Sequence, residues 1–210
     1  MLDALLVFVG SYLVGSIPVA YLIVRQRAKI NISATGSGNA GGFNAYIVTN
    51  SKTVGFIVGF LDALKGLVPV LVAVYLFPGS YVKQVVALFG AIGGHNYPIW
   101  TRFKGGRGLS TSAGGMFYLG FSYTIVWCIV WVVVKLIRRD ILIANLAAIF
   151  MTPMILWITP WSWVNRLVVV QVDSGTFLFF SCLLSAVLCL SHLDVLREVW
   201  TGVKATPDNL

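Results

Sequence analysis

Charge is what this sequence has least of. Asp, Glu, Lys and Arg make up 10% of its 210 residues, against 58% hydrophobic, and mean hydropathy reaches +0.88. A soluble domain carries roughly 25% charged residues, so that class is excluded and an integral membrane protein is expected. Acid is scarcer than base: there are seven acidic residues, and those expected on the cytoplasmic side (Asp62, Asp140, Asp194, Glu198 and Asp208) are scattered. Scattered carboxylates do not build the oxygen cage of a hard cation. Cys128, Cys182 and Cys189 lie inside apolar runs at no metal-binding spacing and read as packed, reduced thiols. Neither a metal nor a cofactor is expected.

Other absences narrow the class further. Alternation of polar and apolar positions is missing, since runs such as "IVWCIVWVVV" at 125–134 are apolar on every side. That excludes an outer-membrane barrel and leaves helices. No basic residue precedes the first apolar run in "MLDALLVFVG", so it reads as a retained helix rather than a cleaved signal. GxSxG is absent, and so is GxxxxGK[ST], which removes the serine-hydrolase elbow and the nucleotide P-loop.

What is there is a series of uncharged runs at 4–24, 66–82, 84–101, 108–134, 141–165 and 174–193, to be compared with the about 20 residues a spanning helix needs. The run 108–134 is long for one span, and Gly114, Gly115, Gly120 and Ser122 interrupt it. Basic residues decide its number, because they concentrate on the cytoplasmic side. As one span it divides Lys and Arg almost evenly. As two helices, roughly 109–120 and 123–137, it leaves only Lys83 and Arg166 outside, with the other basic residues, Lys204 among them, inside. Seven transmembrane helices in a single membrane-embedded domain over 1–210 are therefore expected, with the N-terminus outside and the C-terminus cytoplasmic. The net charge of +8 then faces anionic lipid headgroups rather than nucleic acid. Trp157, Trp161 and Trp163 are expected near the outer interface, with Trp100 and Trp200 near the inner one.

This topology places two glycine-bearing polar stretches on the cytoplasmic face: "TGSGNAGGFN" at 35–44 and "GGHNYPIWTRFKGGRGLST" at 93–111. Glycines let backbone N–H groups converge into a concave nest suited to phosphate. Lys104 and Arg107, among Gly105, Gly106 and Gly108, add full charges. A single such loop is more often a tight connection; two on one face, one of them with Lys and Arg, point to anion binding. Asp62 and Lys65 in "LDALKG" stand three apart on one helical face, early in the second helix. A charge at mid-membrane costs roughly 2.5–3.5 kcal/mol, so the pair either lines a polar path or neutralises itself. The two histidines, His95 and His192, fall at cytoplasmic helix ends, and His95 lies within the second stretch as a candidate base.

Together "GSIP" at 15–18, "GSGNAG" at 36–41 with Asn44, "DALKG" at 62–66 and "GHNYPIWTRFKGGRG" at 94–108 resemble the acyl-phosphate:glycerol-3-phosphate acyltransferase family (PlsY) of bacterial inner membranes. The resemblance implies transfer of a fatty acyl group from acyl phosphate to the 1-hydroxyl of glycerol 3-phosphate, giving lysophosphatidic acid, a step of phospholipid biosynthesis. It implies acyl phosphate and glycerol 3-phosphate as substrates, no acyl-CoA and no metal. Carried onto this chain, it makes Gly36, Ser37, Gly38 and Asn39 the cradle of one phosphate. Lys104, Gly105 and Gly106 hold the other, with Arg107 beside them and Ser37, Asn39, Asn44 and His95 as hydrogen-bond donors; His95, Lys104, Ser37 and Asn39 are the expected catalytic residues. Asp62, Lys65 and His192 complete the expected site. Two acceptors stay open for the hydroxyl proton: His95 and a substrate phosphate.

Several positions depart from the family pattern. Asn31, Ile32 and Ser33 replace a usual Asp-Ile-Arg, Gly42 and Phe43 a usual Ala-Thr, and Ile47 an arginine. Leu142 and Asn145 stand where a serine pair is usual, and Ser191 and Val195 flank His192 in place of Arg and Asn. A non-catalytic homologue that binds anionic lipid or regulates an active enzyme is the alternative these departures suggest. A small transporter ranks below it, because no inverted repeat is apparent.

Overall fold

The computed structural model describes residues 1–201; Lys204 and Asp208, used above, lie outside them. Among the described residues every regular element is helical. The helices are α1 (Leu2–Gly15), α2 (Val19–Ala28), α3 (Gly42–Thr49), α4 (Lys52–Leu76), α5 (Tyr81–Asn96), α6 (Leu109–Leu119), α7 (Phe121–Arg138), α8 (Ile141–Ile158), α9 (Trp161–Val164), α10 (Ser174–Leu190) and α11 (Leu193–Thr201). Prolines set several ends. Helices α1, α5 and α8 stop shortly before Pro18, Pro98 and Pro160, as expected where the residue before proline is pushed out of the helical region.

The division of the 108–134 run falls at Gly120, whose extended backbone (φ −173) separates α6 from α7. The run at 66–82 misplaces the second long helix. α4 begins at Lys52 and ends at Leu76, and 77–80 form a turn with Gly79 at φ 79. Asp62 and Lys65 thus stand near mid-helix rather than early in it. The reason is electrostatic: Lys65 Nζ lies 2.9 Å from Asp62 Oδ1, so the helix carries both charges as a pair, which a search for uncharged runs reads as a break.

Among the described residues four stretches are long and apolar enough to cross a membrane: Leu2–Ala28, Lys52–Leu76, Phe121–Arg138 and Ile141–Ile158. A fifth is made by α10 and α11 together, bent by 62°. Trp100, Trp157, Trp163 and Trp200 are exposed, as interfacial anchors are, whereas Trp161 packs on buried Phe177 with ring centroids 5.6 Å apart.

The described residues form two compact units, Met1–Gly115 and a second beginning at Met116. In the first, α1 lies against α5, and α4 packs on both α3 and α5. α1 and α5 approach backbone to backbone: a Cβ on Gly15 would fall on the Ala91 carbonyl, and one on Gly94 on that of Tyr12. Small residues permit this contact, which is how membrane helices gain dispersion energy without a hydrophobic drive. Beneath the first glycine turn, Ala20, Val24, Ile32, Ala45, Val54 and Val58 form a buried cluster joining α2, α3 and α4. In the second unit α8 packs on α7 and α10. Trp131 Nε1 donates to Asn145 Oδ1 at 2.8 Å, Tyr123 Oη and Ser185 Oγ share a hydrogen bond of 2.8 Å, and Asp140 and Asp173 cap α8 and α10.

Candidate active site

The first glycine stretch folds around Asn44. Gly36 and Gly38 take left-handed backbone (φ 66 and 70), a region costly for residues with a Cβ. Asn44, at the start of α3, is 2% exposed. Its Nδ2 faces the carbonyls of Ile32, Thr35 and Asn39 at 3.3, 3.1 and 3.0 Å, while its Oδ1 accepts from Ser37 N at 3.1 Å. The Asn44 amide, expected from the sequence as a donor to substrate, is here occupied within the turn. Gly38 N donates to Thr35 O at 3.2 Å and Ala40 N to Gly105 O at 3.1 Å. The amides of Ser37, Gly38 and Ala40 are thus already bonded, so this turn is first a scaffold, and its Ala40 bond docks it on the second glycine loop. Ser37 and Asn39 themselves are half-buried.

The second stretch leaves α5 at Asn96 and turns sharply. Arg102 and Phe103 are consecutive non-glycine residues in left-handed backbone (φ 55 and 63), at a cost of about 1–3 kcal/mol each. Their carbonyl and hydroxyl neighbours hold them there: Pro98 O accepts from Phe103 N at 3.0 Å, and Thr101 Oγ1 donates to Lys104 O at 2.8 Å. Strain of this kind persists where the surroundings over-determine it, typically at functional sites. It delivers Lys104 exposed at the loop's edge, with Arg107 half-buried after it. Gly106 N donates to His95 O at 3.0 Å, and a Cβ on Gly106 would fall on His95 Nε2. Glycine at 106 lets the main chain lie directly against the imidazole.

His95, Asp62 and Lys65 meet on the inner side of this loop. All three are buried, at 6%, 1% and 8% exposure. Asp62 Oδ1 lies 3.5 Å from His95 Nδ1 and 2.9 Å from Lys65 Nζ. Lys65 also donates to the Ile17 carbonyl at 2.9 Å; that peptide lies in the break between α1 and α2. The Asp62 contact orients the ring so that Nε2 faces the Gly106 backbone. His95 thus sits between the Asp62 carboxylate on its Nδ1 side and the Gly106 main chain on its Nε2 side.

A narrow cleft joins these parts. Lys65, His95, Lys104 and Gly105 line it, with Ile17 and Pro18 opposite and Ala40 from the first turn. Ser37, Asn39 and Arg107 are not among its walls. His192 belongs to the second unit, fully buried, with Nδ1 2.7 Å from Leu188 O. Sequence reasoning missed the Ile17 carbonyl and the strain at Arg102 and Phe103. The signal for the first was Pro18, which forces a helix break and frees backbone groups; loop strain of the second kind leaves no pattern in the sequence. Among the described residues no His, Cys, Asp and Glu cluster is suited to a metal.

The comparisons with known proteins agree with one another. A family model described as glycerol-3-phosphate acyltransferase matches residues 5–202. The glycerol-3-phosphate acyltransferase of Pelagibacter ubique is 36% identical over 155 residues, covering 74% of this chain and 79% of its own. That of Pseudothermotoga lettingae is 35% identical over 153 residues, covering 71% and 75%. The crystal structure of PlsY, an integral membrane glycerol 3-phosphate acyltransferase, in its glycerol 3-phosphate form matches with TM-score 0.78 at 28% identity, over 95% of this chain and 92% of that one. Its lysophosphatidic acid form matches with TM-score 0.76. With described residues that are all helical where regular, several spans apolar enough for a bilayer, and a narrow cleft at the end of α1, this chain belongs to the glycerol-3-phosphate acyltransferase family of integral membrane enzymes.

Proposed function

We propose that the chain transfers a fatty acyl group from acyl phosphate to the 1-hydroxyl of glycerol 3-phosphate, releasing lysophosphatidic acid and inorganic phosphate. The observation that carries this proposal is the convergence of Lys65, His95, Lys104 and Gly105 on one cleft of a membrane-spanning chain. The C1 hydroxyl oxygen attacks the acyl carbonyl. The tetrahedral intermediate then collapses, breaking the carbon–oxygen bond to phosphate, which leaves with the bonding pair. His95 takes the hydroxyl proton at Nε2, and its contact with Asp62 is what favours it over a substrate phosphate as the acceptor. Lys104 neutralises phosphate charge at the cleft, with Arg107 further along the same loop. Because acyl phosphate is already activated, positioning and charge neutralisation supply most of the acceleration.

In this account the chain crosses a bacterial inner membrane seven times, with the N-terminus outside and the C-terminus in the cytoplasm. The break at Gly120 and the distribution of basic residues support it. The cleft then opens to cytoplasmic glycerol 3-phosphate while the acyl donor arrives from the bilayer. A homologue that binds anionic lipid without catalysis is the second reading, favoured by Ser33 and Ile47 at positions where arginine is usual. Purified protein given glycerol 3-phosphate separates donors directly: palmitoyl phosphate yields lysophosphatidic acid and palmitoyl-CoA yields none. Turnover with palmitoyl-CoA would contradict the proposed donor.

A further inference from the structure

The cleft encloses only about 10 Å³, roughly the space one water needs, so the separation of its walls decides what enters. One wall is the turn after α1, with Gly15, Ile17 and Pro18; another is the loop after α5, with Pro98, Thr101, Lys104 and Gly105. Each wall holds one lysine of the cleft. Lys65 donates to the Ile17 carbonyl at 2.9 Å, and the Lys104 carbonyl accepts from Thr101 Oγ1 at 2.8 Å.

The backbone contacts of Gly15 with Ala91 and of Gly94 with Tyr12 fix α1 on α5, but the loop leaves α5 at Asn96 and lies beyond them. Two hydrogen bonds return it to α1. Tyr12 Oη donates to the Tyr97 carbonyl at 2.7 Å, and Trp100 Nε1 donates to Ser16 Oγ at 2.9 Å. Tyr12 and Ser16 stand four apart, so both bonds leave one face of the helix end. The second joins the two walls themselves: Ser16 lies between Gly15 and Ile17, and Trp100 directly precedes Thr101. Its polarity is fixed. Ser16 Oγ gives its own proton to the Leu13 carbonyl at 2.8 Å and is left to accept, while an indole N–H can only donate. Ser16 is fully buried, whereas Trp100 is 65% exposed. An interfacial anchor needs only the exposed ring; an N–H held on a buried hydroxyl is a separate feature.

We propose that Trp100 is a positioning residue: its hydrogen bond to Ser16 sets the distance between Lys65 and Lys104 across the cleft, and so the fit of the cleft to a substrate phosphate. The inference rests on the acyl-transfer function above and adds a residue that acts on it through Thr101 and Lys104. Trp100→Phe keeps an aromatic ring and deletes the donor; Ser16→Ala deletes the acceptor and leaves the indole in place. With purified full-length protein, each variant weakens glycerol 3-phosphate binding, measured by calorimetry, by about two- to tenfold, the scale of one neutral hydrogen bond. KM for glycerol 3-phosphate rises by the same factor, and kcat changes less. The double variant binds no more weakly than the weaker single one, because both changes remove the same bond. Unchanged affinity in Trp100→Phe, or a double loss equal to the product of the two single losses, overturns the assignment. A lowered melting temperature with unchanged affinity also overturns it, since the bond then serves the fold alone. If wild-type protein binds glycerol 3-phosphate but forms no lysophosphatidic acid, the acyl-transfer proposal fails by itself and the affinities of the variants still decide the role of Trp100. Wild-type protein that binds no glycerol 3-phosphate overturns both.

Discussion

His95 Nδ1 lies 3.5 Å from Asp62 Oδ1, the same oxygen that Lys65 reaches at 2.9 Å. One buried carboxylate therefore faces a base and a cation together. Removing its charge leaves Lys65 with the Ile17 carbonyl and takes the carboxylate away from the imidazole. Asp62→Asn is nearly isosteric and keeps an oxygen for Lys65. Its kcat is expected to fall by about 10²-fold or more, the scale of lost general-base catalysis, with a smaller change in KM for glycerol 3-phosphate. An unchanged kcat would show that His95 acts without Asp62 or does not act at all.

Gly106→Ala places a methyl group against the His95 ring. The loop must move to admit it, so activity is expected to drop strongly while the melting temperature in detergent changes little, because the loop lies outside the helix packing. An active Gly106→Ala enzyme would mean that the main chain has no need to lie so close to the imidazole.

Much of this site could be read from the sequence, and what could not had physical causes. The i, i+3 spacing of Asp62 and Lys65 put them on one helical face, with an ion pair as one of two open readings, and the distribution of Lys and Arg asked for the break found at Gly120. The extent of α4 was hidden because paired charges do not end a helix, so counting uncharged residues cut it in two. The role of Asn44 was hidden for a different reason. A turn rich in Gly and Asn looks equally fit to bind an anion or to bond with itself, and only the positions of Ile32, Thr35 and Asn39 show that it bonds with itself.

Asn44→Ala removes the hub of that turn and leaves buried carbonyls unpartnered, at about 1–3 kcal/mol for such a group. Both stability and activity are expected to fall, since Ala40 holds Gly105 through the same turn. Thermal unfolding followed alongside turnover checks this. Loss of activity with full stability would return Asn44 to a direct role at the substrate.

Gly15→Leu tests the scaffold apart from the chemistry. The new side chain meets the Ala91 backbone and forces α1 from α5, with a cost of about 1–3 kcal/mol expected from overpacking. A lowered melting temperature is the expected result. An unshifted one would mean that α1 and α5 do not rely on this contact.

Acyl transfer is assigned to the cleft lined by His95 and Lys104. The most direct test follows phosphate release and lysophosphatidic acid formation by purified protein given palmitoyl phosphate, with and without glycerol 3-phosphate, for the wild type and Lys104→Ala. Product that depends on glycerol 3-phosphate in the wild type, and is lost in a folded Lys104→Ala variant, is the predicted result. A folded wild-type protein that forms no lysophosphatidic acid, or a Lys104→Ala variant as active as the wild type, would contradict it.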